Sequence, residues 1–149
     1  MDARFSYREA AVRGASPVQL VIYLYDQAIE DLRRALVALG KRDVEGRTLA
    51  INHTLKVIGQ LEGTLDMERG GAVAGNLHRF YDSVRKGLMQ AQARQSAKIL
   101  QEQIQQLATV RDAWIEVERS ETGSAPSAAP LPISPAMPAG EIRLADWNA

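Results

Sequence analysis

Between residues 17 and 40, Val21, Leu24, Tyr25, Ala28, Ile29, Leu32, Ala35, Leu36 and Leu39 recur at spacings of three and four. That spacing lines up one broad apolar stripe on an α-helix of about 36 Å. Ser16 ahead of Pro17 predicts its start, because a serine oxygen can accept from the first free N–H groups and proline fits the first helical position. Gly40 predicts its end as a left-handed cap, with Lys41 and Arg42 beside the negative end of the helix dipole. A second stripe, Val44, Ile51, Leu55, Ile58, Leu61 and Leu65, follows a cap at Asp43 and is broken at Gly70-Gly71. A third runs Val73, Leu77, Phe80, Tyr81, Val84 and Leu88. After a weaker break between Gln92 and Ser96, with Ser96 as the cap, the fourth runs Ala97, Leu100, Ile104, Leu107, Val110, Trp114 and Val117. Four long helices with short connections predict an all-α fold, an antiparallel up-and-down four-helix bundle over residues 16–120.

Two segments fall outside this pattern. Residues 1–15 place Phe5 and Tyr7 ahead of the first helix, as a short capping segment expected to cover apolar bundle surface. Residues 121–149 are rich in Ala, Pro, Ser and Gly, and five of the six prolines lie between Pro126 and Pro138. Such a stretch does not offset its ordering entropy, so a disordered tail is expected. Its end regains apolar character at Ile142, Leu144 and Trp147, but Glu141, Arg143 and Asp146 break up the face.

Charge narrows the function. Lys+Arg and Asp+Glu both number 18, so the chain has no net electrostatic grip on nucleic acid or anionic lipid. Without cysteine there is no disulfide, thiol catalysis or Cys-ligated zinc. The opening residues lack a secretory signal, and no apolar run reaches membrane-spanning length. A soluble cytoplasmic protein is expected, with no membrane insertion and no nucleic-acid partner.

Catalytic and metal chemistry is not legible in the chain. A di-iron site in a helical bundle needs Glu-x-x-His. The only histidines, His53 and His78, follow Ala50 and Gly75 at that spacing and read as surface residues. Gly70-Gly71 lacks the Walker-A spacing and lysine. Glu62 and Asp66, a helical turn apart, look like an ordinary solvated pair. No enzyme, cofactor or metal is expected.

Apolar residues off the main stripes carry more information. Leu20 and Tyr23 lie away from the first stripe, Leu49 and Val57 flank the second, Met89 adds to the third, and Ile99 stands beside Val110 and Val117 on the fourth. A bundle helix touches two neighbours, so a wide stripe is ordinary, and for Val57, Val110 and Val117 core packing is an equal reading. For Tyr23, Leu49 and Met89 a groove or a covering segment explains the set better. The candidate partner-binding residues are therefore Phe5, Tyr7, Leu20, Tyr23, Leu49, Val57, Met89, Ile99 and Val110. A groove on a helical bundle accommodates an amphipathic helix, and the same surface could instead build a homo-oligomeric structural module.

Three blocks then resemble the flagellin export chaperone family, FliS. The first comprises Tyr7, Val12, Ala15-Ser16-Pro17, Gln19-Leu20, Leu24-Tyr25-Asp26 and Ala28-Ile29. The second is Ile58, Leu61 and Leu65 before Asp66 and Gly70-Gly71. The third is Asn76-Leu77, Tyr81-Asp82 and Leu88, ending in Arg111-x-x-Trp114. Their order across residues 7–114 carries the resemblance. Phe80 stands where the family usually has leucine, and the tail is longer. The resemblance implies a monomeric chaperone that binds the C-terminal segment of flagellin one to one, prevents premature polymerisation, and presents it to the flagellar export gate. It also implies a role for Tyr7 in recognition by that gate.

Overall fold

The structure is a computed structural model that describes residues 14–123. Phe5 and Tyr7, and the tail with Ile142, Leu144 and Trp147, lie outside the described residues. Four helices account for nearly all of the described part: α1 (Pro17–Gly40), α2 (Val44–Gly63), α3 (Gly71–Arg94) and α4 (Ala97–Gly123). The fourth helix runs past the residue-120 boundary expected from sequence.

Each helix start follows its side-chain chemistry. Ser16 Oγ accepts from the Gln19 N–H at 3.2 Å, and Gln19 Oε1 accepts from the Ser16 N–H at 2.9 Å, a reciprocal capping box with Pro17 behind it. Asp43 accepts from the Gly46 N–H and Ser96 from the Ile99 N–H, opening α2 and α4. The α3 start has no side-chain cap, and Gly71 adopts φ +53°, a conformation that glycine tolerates without strain.

The ends correct two expectations. Gly40 is not the left-handed residue closing α1; Arg42 is, at φ +57°. The Asp43 N–H reaches the Ala38 carbonyl at 2.8 Å and the Arg42 N–H reaches Leu39 at 3.1 Å, so the Schellman turn forms two residues beyond the glycine. The second helix stops at Gly63, short of the expected Gly70-Gly71 break. Thr64 Oγ1 donates to the Leu61 carbonyl at 2.6 Å, and Asp66 accepts from the Arg69 N–H within a separate turn. Asp66 thus does not continue the helical face of Glu62. Gln95 closes α3 at φ +52°, with the Ser96 N–H bonded to the Ala91 carbonyl. A non-glycine residue in this region costs about 1 kcal/mol. Gln95→Gly should accordingly raise the thermal midpoint by a stabilisation of up to about 1 kcal/mol, read by circular dichroism.

The helices pack in ring order. The broadest interface joins α1 to α2; α1 also lies along α4, and α3 closes the ring against α4 and α2. Antiparallel register is fixed by Gln19 donating to Glu118 at 2.8 Å, Asp26 paired with Arg111, and Arg47 donating to Gln92 at 3.0 Å. The core holds Val21, Leu24, Leu32, Ile58, Leu61, Leu88, Leu100 and Leu107, all fully buried. Val44 and Val73, read as stripe residues, are 57% and 55% exposed.

Candidate partner-binding surface

The helix pairings bring the dispersed sequence blocks together inside the bundle. Tyr25 of α1 and Tyr81 of α3 meet across the core with their hydroxyls 2.8 Å apart, and Trp114 of α4 is buried beside Tyr25. Phe80 stacks at a tilt on Tyr81, with centroids 5.7 Å apart. One helical step outward, Asp26 pairs with Arg111. The Leu-Tyr-Asp, Tyr-Asp and Arg-x-x-Trp blocks are therefore one packed unit that locks α1, α3 and α4.

Burial pushes the Tyr25 phenol up to about 12, and Tyr81 still further above its ordinary value, through burial first and then the neighbouring Tyr25. A phenol raised in the folded state binds its proton where the unfolded chain has lost it. Its stabilising contribution is complete below about pH 10 and fades as pH rises from there through the folded value. Stability should fall by about 1.4 kcal/mol per pH unit for each tyrosine between about pH 10 and 12. A Tyr25→Phe/Tyr81→Phe double variant should show a flatter decline in alkaline melts.

His53 departs from its sequence reading as a surface residue, whereas His78 is exposed as read and differs only in being ion-paired. His53 is partly buried, with Nδ1 2.5 Å from Oδ2 of Asp31, a carboxylate buried on α1 that also accepts from Gln27 at 2.8 Å. His78 Nδ1 lies 2.8 Å from Glu62 and its Nε2 3.8 Å from Asp82. Glu62, His78 and Asp82 offer ligand atoms within 4.8 Å of one another. The Arg85 guanidinium, however, pairs with both carboxylates, and the Glu62 hydrogen bond holds it firmly protonated. This is an ion-pair network with its cation supplied by the chain, so it suits tying α2 to α3 better than holding a metal.

The candidate binding residues sort into three groups. Leu20 and Val57 are corrected: they are 2% and 0% exposed and belong to the core. Both lie toward the α1–α2 seam, the most extensive interface, which closes over stripe flanks that an isolated helix would leave open. Tyr23, Leu49 and Met89 are exposed, at 39%, 56% and 62%. They do not share one groove. On the register set by Asp31 and His53, Leu49 comes level with Ala35, about 18 Å along the bundle from Tyr23. Met89 sits on α3, across the ring from α1.

Ile99 and Val110 form the third group, and here the structure supplies neighbours. Ile99, Gln103, Gln106, Val110 and Val117 recur along one edge of α4. Gly87 of α3 lies directly against Gln103. From that point the antiparallel register puts Phe80 level with Val110 and Val73 level with Val117. Phe80, Ile99, Val110 and Val117 are only partly buried, and Val73 is more than half exposed. The α3–α4 seam thus carries an apolar row about 27 Å long, broken at Gln103, enough for some 18 residues of helix or eight of strand. Phe80 and Val73 are absent from the sequence-based site residues because both sit on the α3 stripe. Only the shallowness of the α3–α4 packing exposes them.

A family model described as "Flagellar protein FliS" matches residues 1–121. The flagellar secretion chaperone FliS of Salmonella typhimurium is 36% identical over 110 residues, covering 73% of this chain and 82% of that protein. FliSB of Pseudomonas aeruginosa is 32% identical over 71% of this chain and 84% of its own length. FliS of Campylobacter jejuni is 30% identical over 79% of this chain and 91% of its own. Among the described residues no helix is long and apolar enough to cross a membrane.

Proposed function

This chain belongs to the FliS family of flagellar proteins, and on that premise we propose that it is a cytoplasmic secretion chaperone for flagellin. It binds the disordered C-terminal segment of flagellin, keeps the subunit from polymerising early, and passes it to the flagellar export gate. The observation that carries this reading beyond the family is the half-buried apolar row of Phe80, Ile99, Val110 and Val117 on the α3–α4 seam. A client segment laid there exchanges its ordering entropy against buried area, in the range of about 1,000–3,000 Å² typical of coupled folding and binding. The bundle acts as a template, so the reading needs no nucleotide, cofactor or catalytic residue.

The same row would serve self-association if the chain were a homo-oligomeric module. Light scattering during size-exclusion chromatography, with and without the flagellin of the same organism, tests both. The chaperone reading expects a monomer that shifts to a one-to-one complex. A stable homodimer that ignores flagellin would overturn it.

A further inference from the structure

Midway along the α3–α4 seam, the apolar row is interrupted by a polar notch. Gln103 is only 6% exposed, and its Oε1 is buried with no hydrogen-bond partner among the described residues. Across from it stands Gly87, deep within the 24-residue helix α3. A Cβ at this position would run into the Gln103 carboxamide, so any other residue would push the amide out of its place. The glycine leaves an open cleft that Gln103 lines together with Arg79, Asp82, Ser83, Lys86 and Gln90. A helix interior carries a glycine at a cost, and a buried acceptor without a donor is costly too. Here the two occur together, and the Gln103 side chain borders the opening that Gly87 leaves.

We infer that Gln103 is a main-chain anchor for a client peptide lying in the α3–α4 groove. A carboxamide carries one acceptor and a pair of donors, the complement of a peptide unit's N–H and C=O. The occupant is the main chain of a non-helical stretch of the client, because in a helix those groups are already paired. The apolar positions on either side, Phe80 with Val110 and then Ile99, take its side chains, while Gln103 sets its register without reading its sequence. This inference rests on the flagellin-chaperone reading and adds the site and the chemistry of the contact.

The test uses the full chain and a synthetic peptide of the C-terminal segment of the organism's flagellin, titrated calorimetrically. Gln103→Leu removes both hydrogen-bonding groups at similar volume. It should weaken binding about tenfold and leave the melting temperature unchanged or raised. A scan of peptides N-methylated at successive residues should find a position where wild-type binding is lost to a similar degree and Gln103→Leu binding is not. That coupling would not arise from a merely structural role. If Gln103→Leu fails to fold, the scan on wild type alone still decides, since no sensitive position means no anchor. Equal affinity of wild type and Gln103→Leu would overturn the anchor and leave the notch to a bound water, with the chaperone reading intact. A wild-type protein that does not bind the peptide at all would overturn both.

Discussion

Val57→Asp should unfold the bundle, whereas Leu49→Asp, eight residues earlier on the same helix, should leave it folded. Val57 is completely buried on the α1 side of α2, while Leu49 is more than half exposed. Antiparallel pairing with α1 brings Val57 level with Gln27, within one turn of the buried Asp31 carboxylate. A second carboxylate there would be buried beside the first and would repel it. Leaving such a charge buried and unpaired costs about 3–5 kcal/mol, a large part of the roughly 5–15 kcal/mol that holds a domain together. Leu49→Asp should change stability by no more than about 0.5 kcal/mol. Urea melts followed by circular dichroism compare the two. A Val57→Asp protein that melts like wild type would mean that the α1–α2 seam opens to water at this level.

The largest expected effect on client binding belongs to Phe80 and Val110 together. They stand level across the α3–α4 seam and are both partly exposed, so a docked client segment would bury what the bundle leaves open. Aromatic anchors at the centre of an interface are typically worth 2 kcal/mol or more, about thirtyfold in affinity. Phe80→Ala/Val110→Ala should therefore weaken binding of the flagellin C-terminal peptide by at least about thirtyfold. The cost to folding is smaller: the tilted stack of Phe80 on Tyr81 contributes about 1 kcal/mol beyond its area. Tyr23→Ala and Met89→Ala serve as controls, because both residues are exposed away from the seam. Should either control lose as much affinity as the double variant, the groove lies on another face of the bundle.

Both predictions turn on a distinction that hydrophobic periodicity does not make. Leu20, Val57, Leu49 and Ile99 all sit at the flanks of their stripes, and along the sequence they look alike. In the bundle the first two are sealed in the core, Leu49 faces out, and Ile99 rests half-covered on the groove. Whether a flank is covered depends on the neighbouring helix and on how closely it approaches. The α1–α2 seam is broad and closes over its flanks, whereas α3, with Gly75 and Gly87 in its length, makes narrower contacts and leaves an apolar row open.

What the sequence by itself determined was local in origin. Caps at Ser16, Asp43 and Ser96, the fully helical character and the order of the four helices follow from interactions within a turn or two of chain, where neighbours in space are neighbours in sequence. The ordered blocks from Leu24-Tyr25-Asp26 to Arg111-x-x-Trp114 likewise sufficed for the family. The tertiary structure decided everything that joins positions far apart. It made Tyr25, Tyr81 and Trp114 one cluster, gave the buried Asp31 its partner in His53, and set Gly87 against Gln103 to open a notch in the groove. Those pairings depend on helix order, register and approach distance at once. These are fixed by the summed volumes of side chains from several helices, and no window of sequence contains that sum.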